Sequence, residues 1–190
     1  MNNDNQSGEA EKRKLVFISH SANHDAEKAK CFQDFFLKAY KGKVDVFVST
    51  TDGIACGNSP QQTLEKNLIS ADVIVVLLTP AGIKSDWITF EVGFVAGHKG
   101  KIIPLLLKGL SLENVQKPIR DFFQIKDITK ENALAEAIAE ISLAVNDVCR
   151  ADLSILKNNL NIEEKEAEKS HSGVALVPAL GSRGRGRWIP

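Results

Sequence analysis

A carboxylate sits among apolar neighbours in the segment SDWITFEVGFVAG, where Trp87, Ile88, Phe90, Val92, Phe94, Val95 and Ala96 leave almost no polar face around Glu91. Stripping water from a carboxylate is costly unless a cation or a wet cleft compensates it. An ion pair with Lys84 or Lys99 would be the structural solution, and an active-site acid the chemical one. Trp87 lies four residues before Glu91, so on a helix the indole and the carboxylate share a face within reach of one ligand. Large aromatics mostly serve the interior. Beside a charge, Trp87 also reads as a ring platform.

A second group of chemistry-bearing residues is the run FISHS, Phe17 to Ser21. The side chains of Ser19, His20 and Ser21 can donate hydrogen bonds to a phosphate or a ribose, and short hydroxyl residues serve equally as turn and cap formers. His20 and His24 have the spacing of zinc ligands on a helix, but His20 falls in a loop and no third ligand accompanies them, so no metal is expected. There is no G-x-S-x-G elbow, no Walker loop, no G-x-G-x-x-G fingerprint and no cysteine with a recognisable histidine partner. Serine hydrolases, P-loop NTPases, kinases and Rossmann dehydrogenases are set aside on that basis.

These residues need a scaffold, and the chain alternates short apolar runs with segments of helical period, the signature of β-α repeats and a mostly parallel sheet. Strands are predicted over Leu15 to Ser19, Val44 to Ser49, Val73 to Thr79 and Lys101 to Leu107, with a weaker one over Phe122 to Ile128. Between them, His24 to Tyr40 carries Ala26, Ala29, Phe32, Phe36 and Ala39 on one stripe. Ser59 and Pro60 mark the start of a helix whose Leu64, Leu68 and Ala71 face inward. A further helix is expected from Ser85 and Asp86 to about Gly97. The last clear one starts near Asn132, with Leu134, Ile138, Ile141, Val145 and Val148 at three- and four-residue steps.

Right-handed crossovers then leave few topologies, and the expected fold is α/β, a flavodoxin-like open parallel five-stranded sheet of order 2-1-3-4-5 with helices on both faces. Ligands of such sheets bind beyond the carboxyl ends of the strands, near the point where strand order reverses. The loops after strands one, two and three are therefore the expected site.

A chain of 190 residues holds one ordinary domain plus tails. Residues 1–14 and 170–190 lack periodicity and are expected to be flexible, 15–150 to form the domain, and 151–169 to be a helical extension. Lysine plus arginine, 24, balances aspartate plus glutamate, 24, so no overall field gathers nucleic acid or anionic lipid. Three scattered cysteines argue against a disulfide framework, and the polar start carries no readable secretory signal. No apolar run approaches the roughly 20 residues a bilayer requires. The expectation is a cytoplasmic protein without nucleic-acid or membrane partners.

The order FISHS, then the loop TTDGIACGNSP, then SDWITFEVGFVAG resembles the Toll/interleukin-1 receptor (TIR) domain family over about Leu15 to Arg150, with the bacterial NAD-cleaving type as the nearest likeness. The resemblance implies cleavage of NAD+ at the nicotinamide bond, giving nicotinamide and ADP-ribose or a cyclic ADP-ribose isomer. It makes Glu91 the catalytic glutamate, Trp87 the aromatic that stacks on the ligand, and Phe17, Ile18, Ser19, His20, Ser21, Asp52 and Gly53 the lining of the cleft. NAD+ would be the substrate, and no cofactor is implied. The nicotinamide ring is cationic in NAD+ and leaves the ribose as a neutral molecule, so the leaving group needs no proton and one carboxylate suffices. The resemblance also implies self-association through the BB loop (50–60) and the helix 86–98, and a separate effector protein that senses the product, as in antiviral defence. Because many members of the family act as adaptors without doing chemistry, a non-catalytic adaptor is the alternative. A response-regulator receiver shares the fold but needs acidic residues at the end of strand one and an aspartate after strand three, where this chain reads FISHS and LLTPAG.

Overall fold

A computed structural model of the chain describes residues 12–49, 59–84, 93 and 100–162. In chain order the elements are β1 (Lys14–Ser19), α1 (Ala26–Ala39), β2 (Val44–Val48), α2 (Pro60–Ser70), β3 (Val73–Leu78), β4 (Lys101–Leu106), α3 (Lys117–Phe122), β5 (Lys126–Asp127), α4 (Ala133–Val145) and α5 (Leu153–Asn159). The five strands form one sheet in the order β2-β1-β3-β4-β5, and every neighbouring pair is parallel. Fold class and strand order are those the sequence predicts.

Strand alternation divides the core in two. Val16 and Ile18 of β1, Val73, Val75 and Leu77 of β3 and Ile103 and Leu105 of β4 point to one face, where they meet α1, α4 and α5. Phe17, Ile74, Val76, Leu78 and Leu106 point to the other, where they meet α2 and α3. A strand covered on both faces has no reason to alternate in polarity, which is why β3 reads VIVVLL and is buried at every position. α1 seats Phe32, Phe35 and Phe36 against the first face, their rings about 6 Å apart. Leu64 and Leu68 of α2 and Ala71 just after it are buried as the sequence pattern requires.

Four local expectations are revised. Lys14, assigned by sequence to the tail, pairs with Val44 as the first residue of β1. Ala26 is exposed and lies off the buried stripe of α1, which Phe35 completes instead. β5 pairs with β4 only at Lys126 and Asp127, because the chain before it turns into α3, begun by Pro118 in its first turn. A proline fixes the backbone dihedral a helix start needs and has no N–H to leave unsatisfied. α4 ends at Val145 because Asn146 adopts the left-handed conformation at φ 54°, so Val148 is outside the helix and 67% exposed.

The helix expected over 85–97, with Trp87 and Glu91, and the loop residues Asp52 and Gly53 lie outside the described residues, as do 1–11 and 163–190.

Candidate active site

The described residues contain six buried polar or charged side chains, Ser19, His20, Ser21, Asp25, Ser49 and Thr79. All six belong to the carboxyl end of the sheet. Ser19 ends β1 and His20 and Ser21 follow it, Ser49 follows β2, Thr79 follows β3, and Asp25 directly precedes α1. The amino end is different in kind: Arg13 with Asp45 and Lys14 with Asp72 form ion pairs open to water. A sheet that hides its polar side chains at one end only has built something there, since each such group must find a partner or a ligand.

Register explains how they meet. Ile18 lies level with Val48 and Ser19 with Val76, so the residues that follow each strand emerge at one edge. Ser49 donates its backbone N–H to the carbonyl of Ile18 at 2.9 Å, which extends the β1–β2 pairing by one step. Its hydroxyl then accepts the backbone N–H of His20 at 3.3 Å and lies 3.4 Å from His20 Nδ1. On the far side of β1, Thr79 donates its hydroxyl to Asp25 Oδ2 at 2.6 Å. The polar row thus runs across the ends of β2, β1 and β3, and the strand order reverses at β1 within that span.

His20 has no exposed surface, and burial pushes its pKa below the ordinary value, a trend only partly opposed by the nearby Asp25 carboxylate and the backbone of Ile18. The imidazole is therefore neutral at pH 7, carrying one N–H and one lone pair. Nδ1 faces Ser49, and Nε2 is buried without a hydrogen-bond partner among the described residues. An orphaned ring nitrogen inside a protein is uncommon, and at this edge it is a free polar group held in a fixed place. His24, by contrast, is exposed, with its Nδ1 3.4 Å from the hydroxyl of Ser21. The two histidines serve different serines, and no group of three His, Cys, Asp or Glu among the described residues converges as a metal site.

Of the residues singled out by sequence, the structure brings Ser19, His20 and Ser21 together at the edge. Phe17 and Ile18 stand directly beneath them, wholly buried in opposite cores, with Phe17 stacked on Phe47 at 5.4 Å. Asp52, Gly53, Trp87 and Glu91 are outside the described residues. Sequence reasoning missed Ser49, Thr79 and Asp25 as parts of this edge. Each is a single short polar residue beside a strand end or a helix start, so no local pattern marks the three as one group. A groove of about 260 Å³ lies elsewhere, beside β4 and β5, lined by Leu106, Leu112, Lys126 and Glu136 among others.

A family model described as TIR domain matches residues 16–141. No curated protein matches the sequence. Among solved structures, a 2-desoxiribosyltransferase from Leishmania mexicana is 18% identical, with 50% of this chain and 65% of that one covered and a TM-score of 0.38. A metazoan TIR-STING receptor from C. gigas in complex with 2',3'-cGAMP is 15% identical, with 73% and 41% covered and a TM-score of 0.49. The TIR domains of the activated Roq1 resistosome, which directly recognises the pathogen effector XopQ, are 14% identical, with 84% and 91% covered and a TM-score of 0.43. The chain thus spans less than two thirds of the length of the first two. None of the three bears on the chemistry of the polar edge.

Proposed function

The chain belongs to the TIR domain family, and from that premise we propose that it cleaves NAD+ at the bond between nicotinamide and ribose. The observation that carries this reading is the row of buried hydroxyls and neutral imidazole at the carboxyl edge, with His20 Nε2 left unpartnered. Such a row suits a ligand rich in hydroxyls and phosphate oxygens, placed where open parallel sheets bind nucleotides. Ser19, His20, Ser21, Asp52 and Gly53 line the cleft in this reading, with Phe17 and Ile18 as its floor.

Glu91 is the residue assigned to chemistry and Trp87 the one assigned to stacking, both on sequence. The glycosidic bond breaks with its electron pair going to the nicotinamide nitrogen, which turns a cationic ring into a neutral leaving group. Glu91 holds the ribose hydroxyls and stabilises the positive charge that develops on the sugar, an effect strongest in a preorganised, poorly hydrated site. Water then attacks the anomeric carbon and loses a proton, giving ADP-ribose, or a ring nitrogen of the folded-back adenine attacks instead, giving a cyclic isomer. A product of this kind suits a signal read by a separate effector, as in bacterial defence.

A second reading, an adaptor acting by self-association, is favoured by exposed apolar side chains: Phe122 is 80% exposed and Leu143 79%. One experiment separates the two. Concentrated, purified protein is incubated with NAD+, and free nicotinamide is measured beside Glu91→Gln. Release by the wild type and its loss in the variant are expected. No release under any assembling condition favours the adaptor, and release by the variant removes Glu91 from its role.

A further inference from the structure

Three members of the polar row are given no part in the proposed chemistry: Ser49, which holds His20, and Asp25 and Thr79, which hold each other. Asp25 occupies the residue before α1, where a carboxylate ordinarily caps the first helical N–H groups. Its side chain makes no such bond. It is 1% exposed, and it reaches sideways instead, taking the hydroxyl proton of Thr79 on Oδ2 at 2.6 Å and the ammonium of Lys28 on Oδ1 at 2.9 Å. The partners Asp25 and Thr79 are 54 residues apart in sequence.

Each end of this contact governs a loop. Thr79 Oγ1 accepts the backbone N–H of Gly82 at 2.8 Å while its carbonyl accepts that of Ile83 at 3.0 Å, which folds residues 80–84 into a tight turn. Gln116 holds the same turn from the other side, donating Nε2 to the carbonyl of Ile83 at 2.6 Å. At the other end, the carbonyl of Ser21 accepts the N–H groups of His24 and Asp25 at 3.1 and 2.8 Å, so the β1 loop closes onto Asp25. Short hydroxyl-to-carboxylate bonds are among the stronger ones in proteins, and this one is shielded from water.

We propose that the Asp25–Thr79 pair is a positioning clamp that fixes the β1 loop, with Ser19, His20 and Ser21, against the turn that follows β3, across the point where strand order reverses. Neither residue touches substrate in this scheme; the pair acts through the two loops it joins. The catalytic consequence rests on the NAD+ reading given above. A site that must hold a ribose between two loops depends steeply on their separation, since a misplacement near 1 Å can cost about a hundredfold in rate.

Thr79→Val keeps the branched shape and exchanges the hydroxyl for a methyl, which removes both the bond to Asp25 and the acceptor of the Gly82 N–H and leaves Asp25 paired with Lys28. Thr79→Ser restores the hydroxyl and serves as the rescue, and Asp25→Ala, which removes the acceptor, tests the other end. Two measurements are made on full-length protein, with thermal unfolding as the check on folding. In amide hydrogen exchange, Thr79→Val is expected to raise exchange several-fold in residues 19–25, on the far side of the clamp, with β3 unchanged and Thr79→Ser like wild type. In nicotinamide release from NAD+, Thr79→Val and Asp25→Ala are expected to lower kcat by about tenfold or more with little change in KM. Unaltered exchange at 19–25 in Thr79→Val overturns the clamp, and so does an unaltered kcat. A wild type without turnover sinks the NAD+ reading instead, and exchange then decides the clamp alone.

Discussion

The hydroxyl of Ser49 lies 3.3 Å from the backbone nitrogen of His20 and 3.4 Å from its Nδ1, so a single side chain just after β2 serves both the main chain and the ring of the residue that follows β1. That arrangement fixes the imidazole by two points, one backbone and one side chain, and leaves Nε2 as the unpartnered atom. A ring held this way is preorganised, and its free nitrogen costs nothing further to orient when a ligand arrives.

Ser49→Ala removes the partner of two buried polar groups at once. Leaving a buried donor or acceptor unsatisfied costs about 1–3 kcal/mol, so unfolding by urea should begin at a lower concentration by a corresponding amount with the slope of the transition unchanged. A variant as stable as the wild type would mean that Ser49 contributes nothing to holding His20.

The lowered pKa of His20 gives the protein an acid-side dependence. The unfolded chain takes up a proton near pH 6.5 while the folded one resists it, so in that interval the unfolded state binds more protons and stability rises with pH. His20 thus contributes stability that is intact above about pH 6.5 and lost as pH falls toward its folded value. Urea midpoints at pH 7.5 and 5.5 should show the wild type losing more than His20→Asn, which keeps a polar atom near the Nδ1 position and cannot titrate. Equal losses in both would assign the acid sensitivity elsewhere.

Fold and topology were legible because hydrophobic period and strand burial are local signals. The run VIVVLL announces a doubly covered strand without any tertiary knowledge. The short pieces were not legible in the same way. Lys126–Asp127 is too brief to carry a period, and Phe122 to Ile125, apolar enough to suggest a strand, owes its conformation to Pro118 and to packing of Ile119 against the second core. At the edge of the sheet, FISHS stood out because three polar residues follow one apolar strand, whereas Ser49, Thr79 and Asp25 each appear singly and are joined only by register. Their partnership is a property of the sheet and not of any window of sequence.

In the proposed NAD+ reaction, Trp87 should affect which product forms as well as how tightly NAD+ binds. Stacking of a base on an aromatic side chain is worth about 1–3 kcal/mol, so Trp87→Ala should raise KM by roughly 5- to 150-fold. With the platform gone, adenine has less to fold back onto, and open ADP-ribose should gain over any cyclic isomer. Chromatography of the nucleotide products from wild type and variant checks both points, and an unchanged KM with an unchanged product ratio would place Trp87 in the core.

Tyr40 supplies an alkaline counterpart to His20. Its ring is fully buried, its hydroxyl lies 3.0 Å from that of Ser142, and burial pushes its pKa up to about 12. The folded state therefore keeps a proton that the unfolded chain releases near pH 10, and the associated stability is complete below that pH and lost as pH rises toward 12. Tyr40→Phe should flatten this alkaline decline when unfolding midpoints are compared at pH 8 and 10.5. An unaltered slope would show that other groups dominate there.

Leu156 is the decisive residue of the segment that follows Arg150. It has no exposed surface and joins the same core as Phe36 and Ile141, with Leu153 and Leu160 partly buried beside it. Arg150 ties the approach to α5 to the end of α1, donating its backbone N–H to the carbonyl of Ala39 at 3.0 Å. α5 is only seven residues long, too short to persist alone, so its structure depends on that docking. Truncating a buried leucine costs about 2–5 kcal/mol, and Leu156→Ala should lower stability by that order, while Ile155→Ala, which trims a half-exposed neighbour on the same helix, should cost much less. If α5 were a detached extension, the two substitutions would be equally silent in urea unfolding followed by circular dichroism. A chain ended at Arg150 should lose at least as much as Leu156→Ala, because it forfeits the contacts of Leu153 and Leu160 as well.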